Sequence, residues 1–137
     1  MRFEIIEHPA DVGFIAYGGT PEELFESAAQ AMLTLACDPA GIEERVERRI
    51  AASGSGMELL LYGWLAEILA IADAEKLFFC RARVTHLAPE RVEGVVYGEP
   101  YDKSRHCPGT YLKAVTLHQF RVERTPSGWR AVVYLDV

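Results

Sequence analysis

From Lys76 to its last residue the chain reads as strand alone, and this constrains the fold more than any other feature. Four runs rich in β-branched and aromatic residues follow one another: LFFCRARVTHLA, RVEGVVYGE, YLKAVTLHQFRVER and WRAVVYLDV. Pro-Glu, a long polar loop and Pro-Ser-Gly separate them, and runs bounded by such turn residues signal strands. No helical pattern falls between them. Parallel pairing needs a long crossover, so a meander of antiparallel strands is expected here.

The first half supplies the helices. FEII (3–6) and VGFIAYG (12–18) are short strands, with Asp11 expected in the turn between them. Thr20-Pro21-Glu22-Glu23 then starts a helix, with Thr20 as cap, Pro21 at the first helical position and Glu23 closing a capping box. Leu24, Phe25, Ala28, Met32 and Leu35 recur at helical spacing, so the helix spans about 21–36 and stops before Pro39. EERVERRIAA (43–52) suits a helix or an exposed strand. The SGSG turn after it favours strand. Ser55 and Glu58 offer a second capping box for a helix over roughly 57–73, apolar nearly all round and therefore buried. Gly63 inside that helix marks close packing. The expected architecture is α+β: a mostly antiparallel sheet packed with two helices, in the order ββαβα then four strands, as a single domain over 1–137.

Composition narrows the function. The 137 residues carry a net charge of −6, which disfavours a broad phosphate-binding surface and strong direct nucleic-acid binding. Cys37, Cys80 and Cys107 form no CxxC pattern, so they read as reduced thiols of a cytoplasmic protein rather than zinc ligands or a disulfide framework. The most apolar stretch, MELLLYGWLAEILAIADA, contains Glu58 and Glu67, so no membrane span is expected.

Four places carry candidate chemistry. HPADVGFIAYG sets a carboxylate, Asp11, at the lip of a buried strand. This is either a turn residue or a charged site on a rigid support. The final strand alternates Trp129, Ala131, Val133, Leu135 and Val137 against Arg130, Val132, Tyr134 and Asp136. It ends with the Asp136 side chain beside the α-carboxylate of Val137, either frayed or anchored by the apolar run before it. The loop GEPYDKSRHCPGT (98–110) gathers Glu99, Asp102, Lys103, Arg105 and His106, and is either functional or a long hairpin excursion. Lys113, early in an apolar strand, faces solvent or a site, and His118 shares that ambiguity. His8 and His106 carry no assigned role. No Ser-His-Asp order, glycine-rich phosphate loop or HExxH occurs.

Taken together and in order, HPADVGFIAYG, TPEELFESAAQAM, LYGWLAEIL, GEPYDKSRHCPGT, LKAVTLHQF and WRAVVYLDV resemble the archease family from end to end. Pro9, Gly63 and Leu117 depart from the family pattern, and none of them falls on a carried-over site residue. The resemblance implies a protein cofactor rather than an enzyme. Its partner is the RtcB-type RNA ligase of tRNA splicing, whose guanylylation and multiple turnover it promotes. The family's essential acids match Asp11 and Asp136, which with the terminal Val137 correspond to a divalent-metal site, and its important lysine matches Lys113. Carboxylates brought together oppose each other's ionisation unless a cation compensates. With oxygen donors and no soft ligand, calcium is expected first, with manganese or magnesium as substitutes. Two other classes stay open: a metal-dependent hydrolase or nuclease using Asp11 and Asp136, and an RNA-binding adaptor.

Overall fold

The structure, a computed structural model, describes residues 2–7 and 11–137. His8 and Pro9, which open the HPADVG stretch, lie outside the described residues, as do the side chains of Glu7 and Asp11.

The elements follow the expected order. β1 (Arg2–Glu7) and β2 (Asp11–Gly18) precede α1 (Pro21–Ala36). A short 3-10 turn (Pro39–Gly41) leads to β3 (Val46–Ser53) and α2 (Met57–Glu75). β4 (Leu77–Ala88), β5 (Arg91–Pro100), β6 (Ala114–Thr125) and β7 (Gly128–Asp136) complete the chain. Asp11 is therefore the first residue of a strand rather than part of a turn.

The start of α1 follows from its sequence. The Thr20 hydroxyl accepts the Glu23 N–H at 3.2 Å, while the Glu23 carboxylate accepts the N–H of Gly19 at 3.0 Å, one residue before the cap. Replacing Thr20 by alanine is expected to cost about 0.5–2 kcal/mol of stability, read as a lowered chemical-denaturation midpoint at unchanged slope. A variant as stable as wild type would show that the cap contributes nothing.

The second capping box does not form. Gly56, with φ of 93°, is the cap of α2 and has no side chain to offer, so Ser55 stands one position too early. Glu58 instead accepts the N–H of Val122 on β6 at 3.1 Å. Its counterpart on α1, Glu26, accepts the N–H of Val84 on β4 at 2.9 Å, and Gln30 donates to the Cys80 carbonyl at 3.1 Å. β4 and β6 are both edge strands, and these helix side chains occupy backbone groups that would otherwise invite another strand.

All strand pairings are antiparallel, but they build two sheets: β1-β2-β7-β6 and β3-β5-β4. The expected continuous meander is thus interrupted, because β5 and β6 belong to different sheets and the 101–113 segment passes between them. α1 packs against β2 and β4, and α2 against β3 and β6, so each helix bridges both sheets. Phe14, Leu24, Phe25, Met32, Leu60, Leu65 and Ile68 are among the core side chains. Trp64 of α2 is buried there and donates its indole N–H to the Phe25 carbonyl of α1 at 3.1 Å. α2 buries Leu60, Leu61, Trp64, Leu65 and Ile68 and leaves Leu59 exposed, so it is core-facing on one side rather than enclosed. Gly63 marks close packing as expected: a Cβ there would lie 3.2 Å from the Ala52 Cβ of β3.

Candidate functional site

β7 is an inner strand, and its position assembles one end of the four-stranded sheet. On one side Asp136 pairs with Asp11 of β2, and on the other with Ala114 of β6. The N–H of Lys113 donates to the Asp136 carbonyl at 2.9 Å. Asp11, Asp136 and Ala114 thus share one row across three strands, with Lys113 adjoining it. The backbone in this row is firmly held, since Val12, Leu112 and Leu135 beside it are buried. Lys113, Asp136 and Val137 are exposed. Lys113 lies just before β6 rather than within it. The chain end is not frayed: β7 stays paired to Asp136, and residues 131–135 are buried on both faces of the sheet.

Two rows inward, past Val12, Leu135 and Val115, stand Gly13, Tyr134 and Thr116. A Cβ on Gly13 would lie 2.7 Å from the Tyr134 ring and 2.6 Å from the Val133 carbonyl oxygen. The glycine that follows Asp11 in the opening motif therefore lets Tyr134 lie across β2. β6 then bulges between Thr116 and Arg121, with Gln119 in the left-handed region at φ of 52°. This irregularity exposes Leu117 and His118. It sets the His118 ring at a centroid distance of 6.3 Å from that of Tyr134. His118 thus stands beside Tyr134, two rows from Asp136, a placement its strand position alone left open.

The donors at this corner are hard oxygens. Asp136 and the Val137 carboxylate are exposed, and the register sets Asp11 opposite Asp136. That chemistry fits a hard divalent cation. Among the described residues, no group of three or more His, Cys, Asp and Glu side chains could hold a metal ion. The Asp11 carboxylate is outside that set.

The 98–110 loop has a different character. Glu99, at the end of β5, is buried, with its side chain 2% exposed. Its Oε1 accepts Nη1 of Arg105, and its Oε2 accepts Nη2 of Arg105 and the N–H of Glu43, at 2.8–2.9 Å. His106, also buried, lies with Nε2 2.9 Å from Oε2. Its Nδ1 accepts the N–H of Asp102 at 2.9 Å. That bond fixes the tautomer: Nε2 carries the proton and donates it to Glu99. The Arg105 guanidinium above all, then the Glu43 N–H, holds the Glu99 carboxyl far below the usual carboxylate range. Tyr101 and Phe78 pack on the His106 ring. Further along, Gly109 and Thr110 donate their N–H groups to the Ala36 and Leu35 carbonyls at the end of α1. The loop's acid, arginine and histidine are thus engaged with one another, and the ordered segment they hold leads into Lys113. The signal for this in the sequence was an acid beside two cationic residues in one loop, and it did not distinguish a ligand site from an internal knot.

Cys37, Cys80 and Cys107 are all free, and no helix among the described residues is long and apolar enough to cross a membrane.

Comparison with known proteins agrees with this architecture. The chain is 39% identical to the protein archease of Methanopyrus kandleri over 140 residues, covering all of both chains. It is 39% identical to that of Sulfolobus acidocaldarius over 137 residues, covering 99% of each. A solution structure of protein 1598 from Methanobacterium thermoautotrophicum superposes with a TM-score of 0.82, at 32% identity and 98% coverage of both chains. The crystal structure of an archease from Thermotoga maritima, described as a possible chaperone, shares the fold with a TM-score of 0.68, at 20% identity, covering 96% of this chain and 94% of the other. The model of the archease protein family matches residues 3–137, and with these relatives it shows that the chain belongs to that family.

Proposed function

We propose that this protein activates an RtcB-type RNA ligase in tRNA splicing, promoting guanylylation of the ligase and its repeated turnover, and that it acts as a protein cofactor rather than as an enzyme. The observation that carries the reading is the pairing of Asp11 with Asp136, together with the Lys113 N–H bonded to the Asp136 carbonyl, at one open end of the sheet. A rigid edge bearing two acids, a chain-end carboxylate and an exposed lysine suits insertion into another protein's active-site mouth. The description of the Thermotoga protein as a possible chaperone is of the same kind, since a chaperone acts on another protein. The net charge of −6 supports a protein partner over direct RNA binding.

In this reading Asp11, Asp136 and the Val137 carboxylate hold a divalent ion, calcium first and manganese or magnesium as substitutes. The ion supplies charge compensation for the acids. Lys113 offers a compact positive charge to an acidic or phosphoryl group of the ligase. The test is GMP incorporation into the ligase with and without this protein over several turnovers. Identical incorporation in both would overturn the proposal.

The metal is tested separately. Asp136→Asn keeps the side-chain shape and lies at an exposed chain end, so its melting temperature should stay within a few degrees of wild type. Its affinity for calcium in a calorimetric titration should fall about tenfold or more, as expected when one of few charged ligands is lost. Equal calcium affinity in the two proteins would remove Asp136 from the site.

A further inference from the structure

A trench runs along the exposed side of α2, between that helix and residues 108–115. It has two hollows. The first, of about 170 Å³, is lined mainly by apolar groups, including Leu69, Ala72, Phe78 and Leu112. The second, of about 180 Å³, lies between Tyr62, Ala66 and Leu69 on one wall and Lys113 and Ala114 on the other. Leu69 and Asp73 line both hollows, so they adjoin. Each hollow is sized for a side chain rather than for a small-molecule ligand, whose pockets begin at about 300 Å³.

The far wall carries backbone outside any helix or strand. Gly109, Thr110 and Lys113 each donate to a carbonyl elsewhere, but Tyr111 and Leu112 take part in none of the backbone hydrogen bonds among the described residues. Tyr111 is 65% exposed, and this segment continues the line of edge strand β6 beyond its pairing with β7. A stretch whose N–H and C=O groups make no backbone hydrogen bond among the described residues, beside side-chain pockets, is what strand addition uses. The trench also carries charge. Asp73 accepts the Tyr111 hydroxyl at 3.2 Å, which pushes the Tyr111 phenol up, and neither Asp73 nor Lys113 makes an ion pair among the described residues.

We propose that this trench takes an extended segment of the ligase partner. The segment lies beside residues 110–113, puts an apolar side chain into the hollow at Ala72, and sets a lysine or arginine against Asp73. Charge complementarity at Asp73 and continuity with Lys113 select this occupant. The inference rests on the functional reading above and adds how the partner is gripped: the trench supplies affinity and brings the acid–lysine corner into place. Two variants test it with the ligase itself as the probe. Ala72→Phe fills the first hollow from a half-exposed position, and Asp73→Lys reverses the charge at an exposed one, so at least the second keeps the fold, checked by circular dichroism. Both are expected to weaken ligase binding, measured by biolayer interferometry, roughly tenfold or more. The concentration for half-maximal GMP incorporation should rise in step while the plateau at saturation stays unchanged. Wild-type affinity in a folded Asp73→Lys protein overturns the trench. Tight binding of the wild type without stimulation overturns the functional reading and leaves the trench standing. No binding of the wild type overturns both.

Discussion

Replacing Lys113 by alanine is expected to leave a folded protein that no longer raises GMP incorporation into the ligase. Lys113 is exposed, its side chain makes no ion pair among the described residues, and its anchoring is done by its backbone N–H, which alanine retains. Surface changes of this kind usually stay within about 0.5 kcal/mol. The functional loss should be large, because a hydrogen bond to a charged group contributes about 1.5–3 kcal/mol, which corresponds to a rate about tenfold lower or more. The loss should appear in the plateau of stimulation at saturating protein, whereas the trench variants shift the half-maximal concentration. Lys113→Arg separates charge from shape. Partial recovery would mean that positive charge suffices, and little recovery would mean a fit too close for the broader guanidinium. Melting temperatures and calcium titrations in parallel should match wild type. Full stimulation by folded Lys113→Ala would leave the two acids to explain the activity alone.

What was legible in the sequence was local. The limits of α1 came out at Pro21 and Ala36 because its start depends on neighbours: a threonine, a proline and a glutamate within four residues. The strands after Lys76 were legible because turn residues punctuate them. Contacts between distant segments were not. Glu58 looked like half of a capping box, but it serves Val122, 64 positions away. The division into two sheets had no sequence signal, since β5 and β6 are consecutive and nothing in either states that the loop between them changes layer. At the candidate site, the final strand's alternation put Asp136 on one face with Tyr134 but gave no neighbour. Its neighbours came from register, with Asp11 on one side and Ala114 on the other. The significance of those positions came from the resemblance, and the row shows how a chain can bring them together. Gly13 shows the same limit from the other side. It falls within the expected strand, but nothing in the sequence states that Tyr134 requires the space there.

The largest structural effect is expected at Glu99. Both of its oxygens accept: Oε1 from Arg105, and Oε2 from Arg105, Glu43 and His106. Glu99→Gln keeps the shape and removes this capacity. Wherever its amide nitrogen is placed, a donor faces a donor, and His106 cannot adapt because its Nδ1 already accepts from Asp102. Breaking one partner of a buried ion pair is strongly destabilising, so the melting temperature should fall by roughly 10 °C or more at neutral pH. The pH dependence carries the sign. The folded carboxyl is held below its ordinary value, so its contribution is present above an unfolded pKa of about 4.3 and is lost as pH falls from there toward the folded value. The gap between wild type and Glu99→Gln should therefore be widest at neutral pH and narrow steadily below about pH 4. Arg105→Ala, which removes the main cause of the lowered value, should show the same acid-side convergence with a smaller loss, since the Glu43 and His106 donors remain. Because residues 99–110 lead into the segment before Lys113, Glu99→Gln should also speed hydrogen exchange at Gly109, Thr110 and Lys113, whose N–H groups are bonded to Ala36, Leu35 and Asp136. A gap in melting temperature that is constant from pH 7 to pH 3 would mean that the ionised carboxylate is not what holds the loop.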